Sequence, residues 1–269
     1  MRPWHEHDPV NPSHADIERQ AYRERIEVFL AGREAGGTIT ADALRKGVSP
    51  ASLAEAAAGL ARFADEAQAI VREEYRPPLA CGDRCWYCCC KPNVLVSIPE
   101  LVRILRHVEA VFSPEALAAL RQRSRGYEAQ VAGRRLDDPI DESVPCPLLV
   151  DGRCSVYDIR PLVCRGYNST DVEACRRGHR TGGALVPIFA MLRDVTDGAT
   201  VGAGQQLAAT GLDSSVLDLG LALNAALSCE RDFAAALVRG EVDLAAAENR
   251  SYISELWDHV QETARWVGP

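Results

Sequence analysis

Aromatic residues are scarce in this 269-residue chain, Phe, Trp and Tyr together making only 6% of it. Packing therefore falls to alanine and leucine, because 47% of the residues are still apolar, enough to exclude global disorder. A basic excess is lacking too. Thirty Lys and Arg stand against 38 Asp and Glu, a net charge of −8, which argues against a dedicated nucleic-acid binder with its basic face. No apolar run reaches the roughly 18 residues of a transmembrane helix. The opening stretch, Met-Arg-Pro-Trp-His-Glu-His-Asp, lacks the apolar centre of a signal peptide. A cytoplasmic protein with no membrane and no nucleic-acid partner is the expectation. P-loop, nucleophile-elbow and HExxH patterns are absent, and Gly202-Ala-Gly204 lacks the third glycine and the preceding strand of a dinucleotide fingerprint.

What is present is cysteine. Nine of the ten lie between Cys81 and Cys175, and only Cys229 falls elsewhere. Persistent disulfides are uncommon in the cytosol, so clustered cysteines there read as metal or redox ligands. Cys229 alone fits a small buried hydrophobe. Thiolates are soft donors that favour zinc, iron–sulfur clusters or copper(I). The consecutive cysteines Cys88-Cys89-Cys90 add a constraint. Neighbouring side chains diverge on a strand and lie about 100° apart on a helix, so two adjacent thiolates do not readily serve one ion. Either one points into the core or the two serve different metals. Residues 81 to 180 carry 15 basic and 13 acidic residues, +2 against −10 for the remainder. Arg84, Arg153, Arg160 and Arg165 lie near cysteines as candidate counter-charges for bound thiolates.

Periodicity predicts a mainly α fold, helices packed around a central cysteine-rich region with one short β-hairpin, in three parts of one compact unit. Residues 1–76 form an N-terminal helical region. Ser13 and Asp16 suggest a helix start, Gly36-Gly37 its break, and Ser49-Pro50 the start of a second helix with the stripe Leu53, Ala56, Leu60, Phe63, Ala67 and Ile70. Residues 77–180 are the cysteine region. There Val94-Leu95-Val96 reads as extended and Ser97-Ile98-Pro99-Glu100 as a capping box. Ser113-Pro114 starts another helix, and Asp151-Gly152 turns a hairpin ending in Cys154. Residues 181–269 return to helix, with Asp213 or Ser214 capping a segment that bears Val216, Leu219, Leu223 and Leu227.

Cys81 followed by Cys85-Trp-Tyr-Cys88-Cys89 resembles the CxxCxxCC signature of the YkgJ-type cysteine cluster family. Cys146-Pro147-Leu148-Leu149, Gly152-Arg153-Cys154-Ser155-Val156-Tyr157, Arg160-Pro161 and Cys164-Arg165-Gly166-Tyr167 resemble that family's CPxL, GxCxxY and RPxxCRxY elements. Two departures stand out. The first spacing is three residues rather than two, and Cys90 adds a third consecutive cysteine. The resemblance implies a zinc- or iron-chelating domain over roughly residues 81 to 175. The candidate ligands are Cys81, Cys85, Cys88, Cys89, Cys146, Cys154 and Cys164, followed by Cys175. Cys90 is evenly balanced, and His179, four residues after Cys175, reads more as a solvated histidine than as a ligand. Tyr157 and Tyr167 read as packing residues. His5, His7 and His107 read as terminus and surface, and Asp137, Asp138, Asp141 and Glu142 as a solvated acidic loop.

The leading function is a cytosolic metal-binding protein. An iron–sulfur cluster is favoured over a lone zinc because nine sulfurs exceed one four-ligand site. One alternative is a metal-dependent protein-modifying enzyme similar to the flagellin lysine N-methylase, a relative within the resembling family, though no S-adenosylmethionine motif is recognisable. The other is a thiol redox switch, with cysteines activated by neighbouring arginines.

Overall fold

The computed structural model describes residues 14–82, 85–91, 93–131, 143–181, 185–229, 232–249 and 252–267. Ser13, His5, His7, Arg84 and the acidic stretch 137–142 lie outside them. The fold is mainly α, as the periodicity implies. Its first element corrects the sequence reading: α1 runs from His14 to Leu44, straight through Gly36-Gly37. Those glycines do not break the helix because they serve packing. A Cβ on Gly36 would sit 2.3 Å from the carbonyl oxygen of Ala199 in α7 (Ala190–Ala209), and one on Gly202 would sit 1.9 Å from Arg33 O. Glycine is the one residue that lets two helix backbones approach this closely. Gly202 is thus a helix-packing residue.

Helix α2 (Pro50–Tyr75) starts where Ser49-Pro50 requires. Ser49 Oγ accepts the Ser52 amide (3.1 Å), and Ser52 Oγ accepts the Ser49 amide (2.9 Å). Its stripe holds at Leu53, Ala56 and Leu60 and then drifts. Ile70 is 64% exposed, and Ala64, Gln68 and Val71 are buried in its place. A helix of 3.6 residues per turn drifts in this way when the contact partner changes. Gln68 donates to Leu192 O (2.8 Å) and Arg165 O (3.2 Å), tying α2 to both segments.

The strand β1 (Leu95–Ser97) leads into α3 (Ile98–Val111), whose Leu101, Ile104, Leu105 and Val108 are fully buried, each contributing roughly 1.5–3 kcal/mol. Helix α4 (Pro114–Val131) follows, then β2 (Leu149–Val150) and β3 (Arg153–Cys154). These two strands form the expected hairpin, with Asp151 at φ 50° and Gly152 at φ 72°. Helices α5 (Leu162–Gly166) and α6 (Val172–Thr181) complete the cysteine region.

The C-terminal part brings a second correction. Val216 belongs to a strand, β4 (Val216–Asp218), and α8 (Leu219–Leu227) begins only after Asp218, whose side chain caps it. Asp213 instead holds the Ser215 amide (2.8 Å). β4 is the centre of an antiparallel sheet with β1 and β5 (Glu248–Asn249), in register Val96↔Leu217 and Leu217↔Glu248. This sheet joins the cysteine region to the C-terminal part. Helices α9 (Phe233–Val238) and α10 (Tyr252–Val267) follow. Among the described residues, no helix is long and apolar enough to cross a membrane.

Candidate metal centre

The cysteine region is strung together by backbone hydrogen bonds rather than by long elements. Ala80 N donates to Ser169 O (2.8 Å), which sets the Cys81 segment beside the entry to α6. Asp171 caps that helix, its Oδ1 accepting the amides of Glu173 (2.8 Å) and Ala174 (3.1 Å), so Cys175 lies in a fixed first turn. Cys85 N closes a turn on Gly82 O (3.2 Å), and residues Tyr87–Cys90 form one 3₁₀ turn. This turn pairs on one side with the hairpin approach: Cys146 N donates to Cys89 O (2.7 Å) and Val144 N to Cys90 O (3.1 Å). On its other side it meets α6. Arg176 Nε donates to the Tyr87 hydroxyl (3.2 Å), Lys91 Nζ donates to Gly178 O (3.0 Å), and Trp86 lies edge-on to His179 at 4.8 Å.

The second group of cysteines rests on the hairpin and on α5. Leu149 pairs with Cys154, and Ser155 clamps Leu148 O through its amide (2.8 Å) and hydroxyl (2.9 Å). Pro161 is the N-cap of α5, and Cys164 is that helix's third residue. The free amide of Leu162 at its start is taken by Glu100 Oε1 (2.6 Å), while Glu100 Oε2 accepts the amide and hydroxyl of Ser97 (2.9 and 2.7 Å).

Counter-charges fall differently from the sequence expectation. Arg165 is buried, and its guanidinium is taken by Asp65 (2.6 and 2.7 Å), Arg160 O (3.1 Å) and Asp158 O. It therefore anchors α5 to α2 (Asp65 being on α2). Arg153 is exposed on the hairpin. Arg160, stacked over the Tyr157 ring at 4.0 Å, is the arginine whose charge favours the Cys154 thiolate. Tyr157 is 60% exposed, whereas Tyr167 is half-buried, and burial, then the charges of Cys88 and Cys175, push its hydroxyl up.

All ten cysteines are free thiols. Cys81 and Cys88 are exposed, Cys90 is buried, and the other candidates are half-buried. The charges of Cys85, Cys88 and Cys175 act on the Cys81 thiol, and those of Cys146, Cys154 and Cys88 on the Cys164 thiol. Cys88 and Cys89 hydrogen-bond one another. Burial is the first cause that pushes the thiols of Cys81, Cys85, Cys154 and Cys164 up, and Cys146 is pushed to about 12. At Cys88 the bond to Cys89 is the larger cause. Neighbouring thiolates reinforce the effect, because like charges in a poorly solvated place oppose one another. Among the described residues, no three His, Cys, Asp or Glu side chains are already gathered around a point that could hold a metal ion. The donor set nevertheless fits a thiophilic metal by chemistry: it is all sulfur, and a bound cation removes the mutual repulsion of the thiolates.

Cys90, evenly balanced in the sequence, and His179, read there as solvated, find other partners. The Cys90 thiol takes a hydrogen bond from Ser143, and Ser143 Oγ lies 3.0 Å from His179 Nδ1. His179 is half-buried against Trp86 and Tyr87 rather than solvated. Nothing in the local sequence could have linked positions 90, 143 and 179. His107 is half-buried and edge-on to Phe112, and Cys229 packs against the main apolar core. Two clefts, of about 420 and 310 Å³, open elsewhere, and neither is lined by a cysteine.

Residues 80–181 match the family model CxxCxxCC, whose description is "Putative zinc- or iron-chelating domain". The match contains all nine clustered cysteines and ends with α6. Neither the curated proteins nor the solved structures give a match.

Proposed function

We propose, on the premise that residues 80–181 form a CxxCxxCC domain, that the chain is a cytosolic metal-binding protein holding zinc or iron through clustered thiolates. The observation that carries the reading is that the segments bearing Cys146 and Cys175 are both held against the 3₁₀ turn Tyr87–Cys90, the first by the Cys146 N–H on Cys89 O and the second by Arg176 and Lys91, while burial raises the thiols of Cys81, Cys85, Cys146, Cys154 and Cys164. Thiols so placed are costly to ionise alone and favourable to ionise around a cation. The ligands are Cys81, Cys85, Cys88, Cys146, Cys154, Cys164 and Cys175, with Cys89 against the sulfur of Cys88. The metal supplies charge neutralisation and, if iron, redox chemistry. The number of sulfurs favours an iron–sulfur centre or several ions over a single zinc.

The same observation weighs against a thiol redox switch, because the thiolate is the reactive form and these thiols are pushed toward the neutral one. An enzyme similar to the flagellin lysine N-methylase gains no support from the two clefts, which lie apart from the cysteines. The test is anaerobic purification followed by metal analysis, acid-labile sulfide determination and a visible spectrum on one sample. Iron with sulfide and a broad band near ~400 nm establishes a cluster, and stoichiometric zinc without colour establishes a closed-shell site. Neither metal at stoichiometric level, after reconstitution, rejects the proposal.

A further inference from the structure

The smaller of the two clefts, of about 310 Å³, lies between α1, α7 and α10 and is independent of the thiols. Its volume is near the lower end of the roughly 300–1,000 Å³ of small-molecule sites, which suits a compact ligand. Two of its walls are apolar. Ile26 and Phe29 come from α1, and Leu256 and Val260 from α10. The third wall, α7, is charged. Arg193, Asp194 and Asp197 stand there within little more than one turn, flanked by Arg25 of α1 and His259 of α10.

These charges are layered. Side-chain exposure is 13% for Asp194 and 12% for Asp197, against 38% for Arg25 and 42% for Arg193. His259 is exposed. The floor of the cleft is therefore acidic and its mouth basic. The two acids are also held unequally. Arg25 grips both oxygens of Asp194, Nε on Oδ2 at 2.7 Å and Nη2 on Oδ1 at 3.0 Å. Arg193 reaches Oδ2 of Asp197 through Nε at 3.1 Å. Among the described residues, Asp197 Oδ1 takes no hydrogen bond, so a buried carboxylate keeps an acceptor to spare beside an empty volume. A lone cation or a lone anion gains little here, because two guanidinium groups already stand against two carboxylates. A molecule that carries both charges gains at each end.

We propose that this cleft binds a small zwitterion, an ammonium and a carboxylate on one apolar body, as in an amino acid with an apolar side chain. The ammonium meets Asp197 at the floor, the carboxylate meets Arg193 and His259 toward the mouth, and the hydrocarbon lies between α1 and α10. An ammonium brings three donors to the spare acceptor of Asp197. A guanidinium and a carboxylate form the stronger, charge-assisted kind of hydrogen bond. The two charged groups of an α-amino acid sit on one carbon, close together like the adjacent Arg193–Asp197 pair that receives them. Burial of the hydrocarbon against Ile26, Phe29, Leu256 and Val260 supplies the non-directional part of the affinity.

The experiment is isothermal titration calorimetry of the full chain with L-leucine and with L-phenylalanine, at about pH 8, where a carboxyl of pKa about 6 is ionised. Each amino acid is compared with its amine alone (isoamylamine, phenethylamine), its acid alone (isocaproate, hydrocinnamate) and glycine. The expected result is one bound molecule per chain for at least one of the two amino acids, with its amine, its acid and glycine each at least ~10-fold weaker. Asp197→Asn and Arg193→Met are each expected to weaken binding at least ~10-fold while keeping the wild-type circular dichroism. The analogue series on the unaltered chain keeps the test decisive even if a variant fails to fold. No binding of either amino acid overturns the site. So does an amine or acid that binds as tightly as its amino acid, or binding unchanged in either variant. Each of these outcomes leaves the metal reading intact, because no cysteine lines the cleft.

Discussion

Glu100 Oε1 accepts the backbone N–H of Leu162 at 2.6 Å, joining two helices 62 residues apart in the chain. The carboxylate that caps α3 through Ser97 thereby also caps α5, the helix that bears Cys164. Glu100→Gln keeps the size but turns one acceptor into a donor facing an N–H or a hydroxyl. A buried donor left unpaired costs roughly 1–3 kcal/mol. Urea unfolding is expected to show a loss in that range. Competition with a chelator is expected to show weaker metal retention, because the segment carrying Cys164 loses its anchor. Unchanged unfolding would reject the double-cap role.

The Arg165–Asp65 pair is asymmetric, with side-chain exposures of 3% and 56%. Removing the buried partner leaves the carbonyls of Asp158 and Arg160 without their donor, whereas removing the exposed partner leaves a guanidinium that still has both. Arg165→Met is expected to lower stability by about 3 kcal/mol, and Asp65→Asn by under ~1 kcal/mol. Thermal unfolding of the two variants side by side measures the difference. Equal effects would show that the ion pair, rather than the carbonyl bonds, holds α5.

Much of this fold was legible from local chemistry. The Ser49-Pro50 start, the Ser97–Glu100 box, the apolar face of α3 and the Asp151-Gly152 turn are each decided by residues within a few positions of one another. The failures share one cause, which is distance along the chain. Gly36-Gly37 reads as a break until Ala199 is known to lie against Gly36. Val216 reads as helical until β1 and β5 are seen on either side of it. At the site, spacing and soft-donor chemistry single out the cysteines. Which thiols face one another, and the Ser143 contacts of Cys90 and His179, depend on hydrogen bonds that span up to 89 residues.

Adjacent glycines in α1 are expected to respond with opposite signs. A Cβ at position 36 would meet Ala199 O at 2.3 Å and its carbonyl carbon at 2.9 Å, both backbone atoms that cannot swing aside. At position 37 the nearest atom would be Gly202 O at 3.6 Å, an ordinary contact. Gly36→Ala is expected to destabilise by about 3 kcal/mol through overpacking. Gly37→Ala is expected to stabilise by up to ~1 kcal/mol, the helix-propensity gain of alanine over glycine. Unfolding midpoints that move in the same direction would contradict the close packing of α1 on α7.

Chelation is expected to loosen the cysteine region while most helicity survives. One core where α2 meets α7 is built from Val71, Met191, Leu192 and Val195, with no cysteine among its residues. Far-ultraviolet circular dichroism should therefore keep most of its helical signal after metal removal. The fluorescence of Trp86, compared with a Trp86→Phe control, should change because its ring sits against His179 and Gly152. Complete loss of the helical signal would show that the helices depend on the metal for folding.

Asp197 in α7 gives the protein a pH dependence separate from its thiols. Its carboxyl is buried, and burial raises its pKa from 3.8 to about 6, against the opposing charges of Arg193 and Arg25. Asp194 adds to the rise, and Tyr252 of α10 faces the same group. A folded-state pKa above the unfolded one means that the protonated acid favours the fold. Its stability contribution is thus complete below about pH 3.8 and is lost as the pH climbs through about 6. The full span is about 3 kcal/mol, of which roughly 2 kcal/mol falls between pH 4.5 and 7.5. Asp197→Asn cannot titrate. The wild type's stability relative to this variant is therefore expected to fall by roughly 2 kcal/mol over that window. Chemical unfolding of both proteins at several pH values measures it. Curves that run parallel would mean that the carboxyl titrates alike in the folded and unfolded chains, and that the contacts of Arg193 and Tyr252 do not depend on its proton.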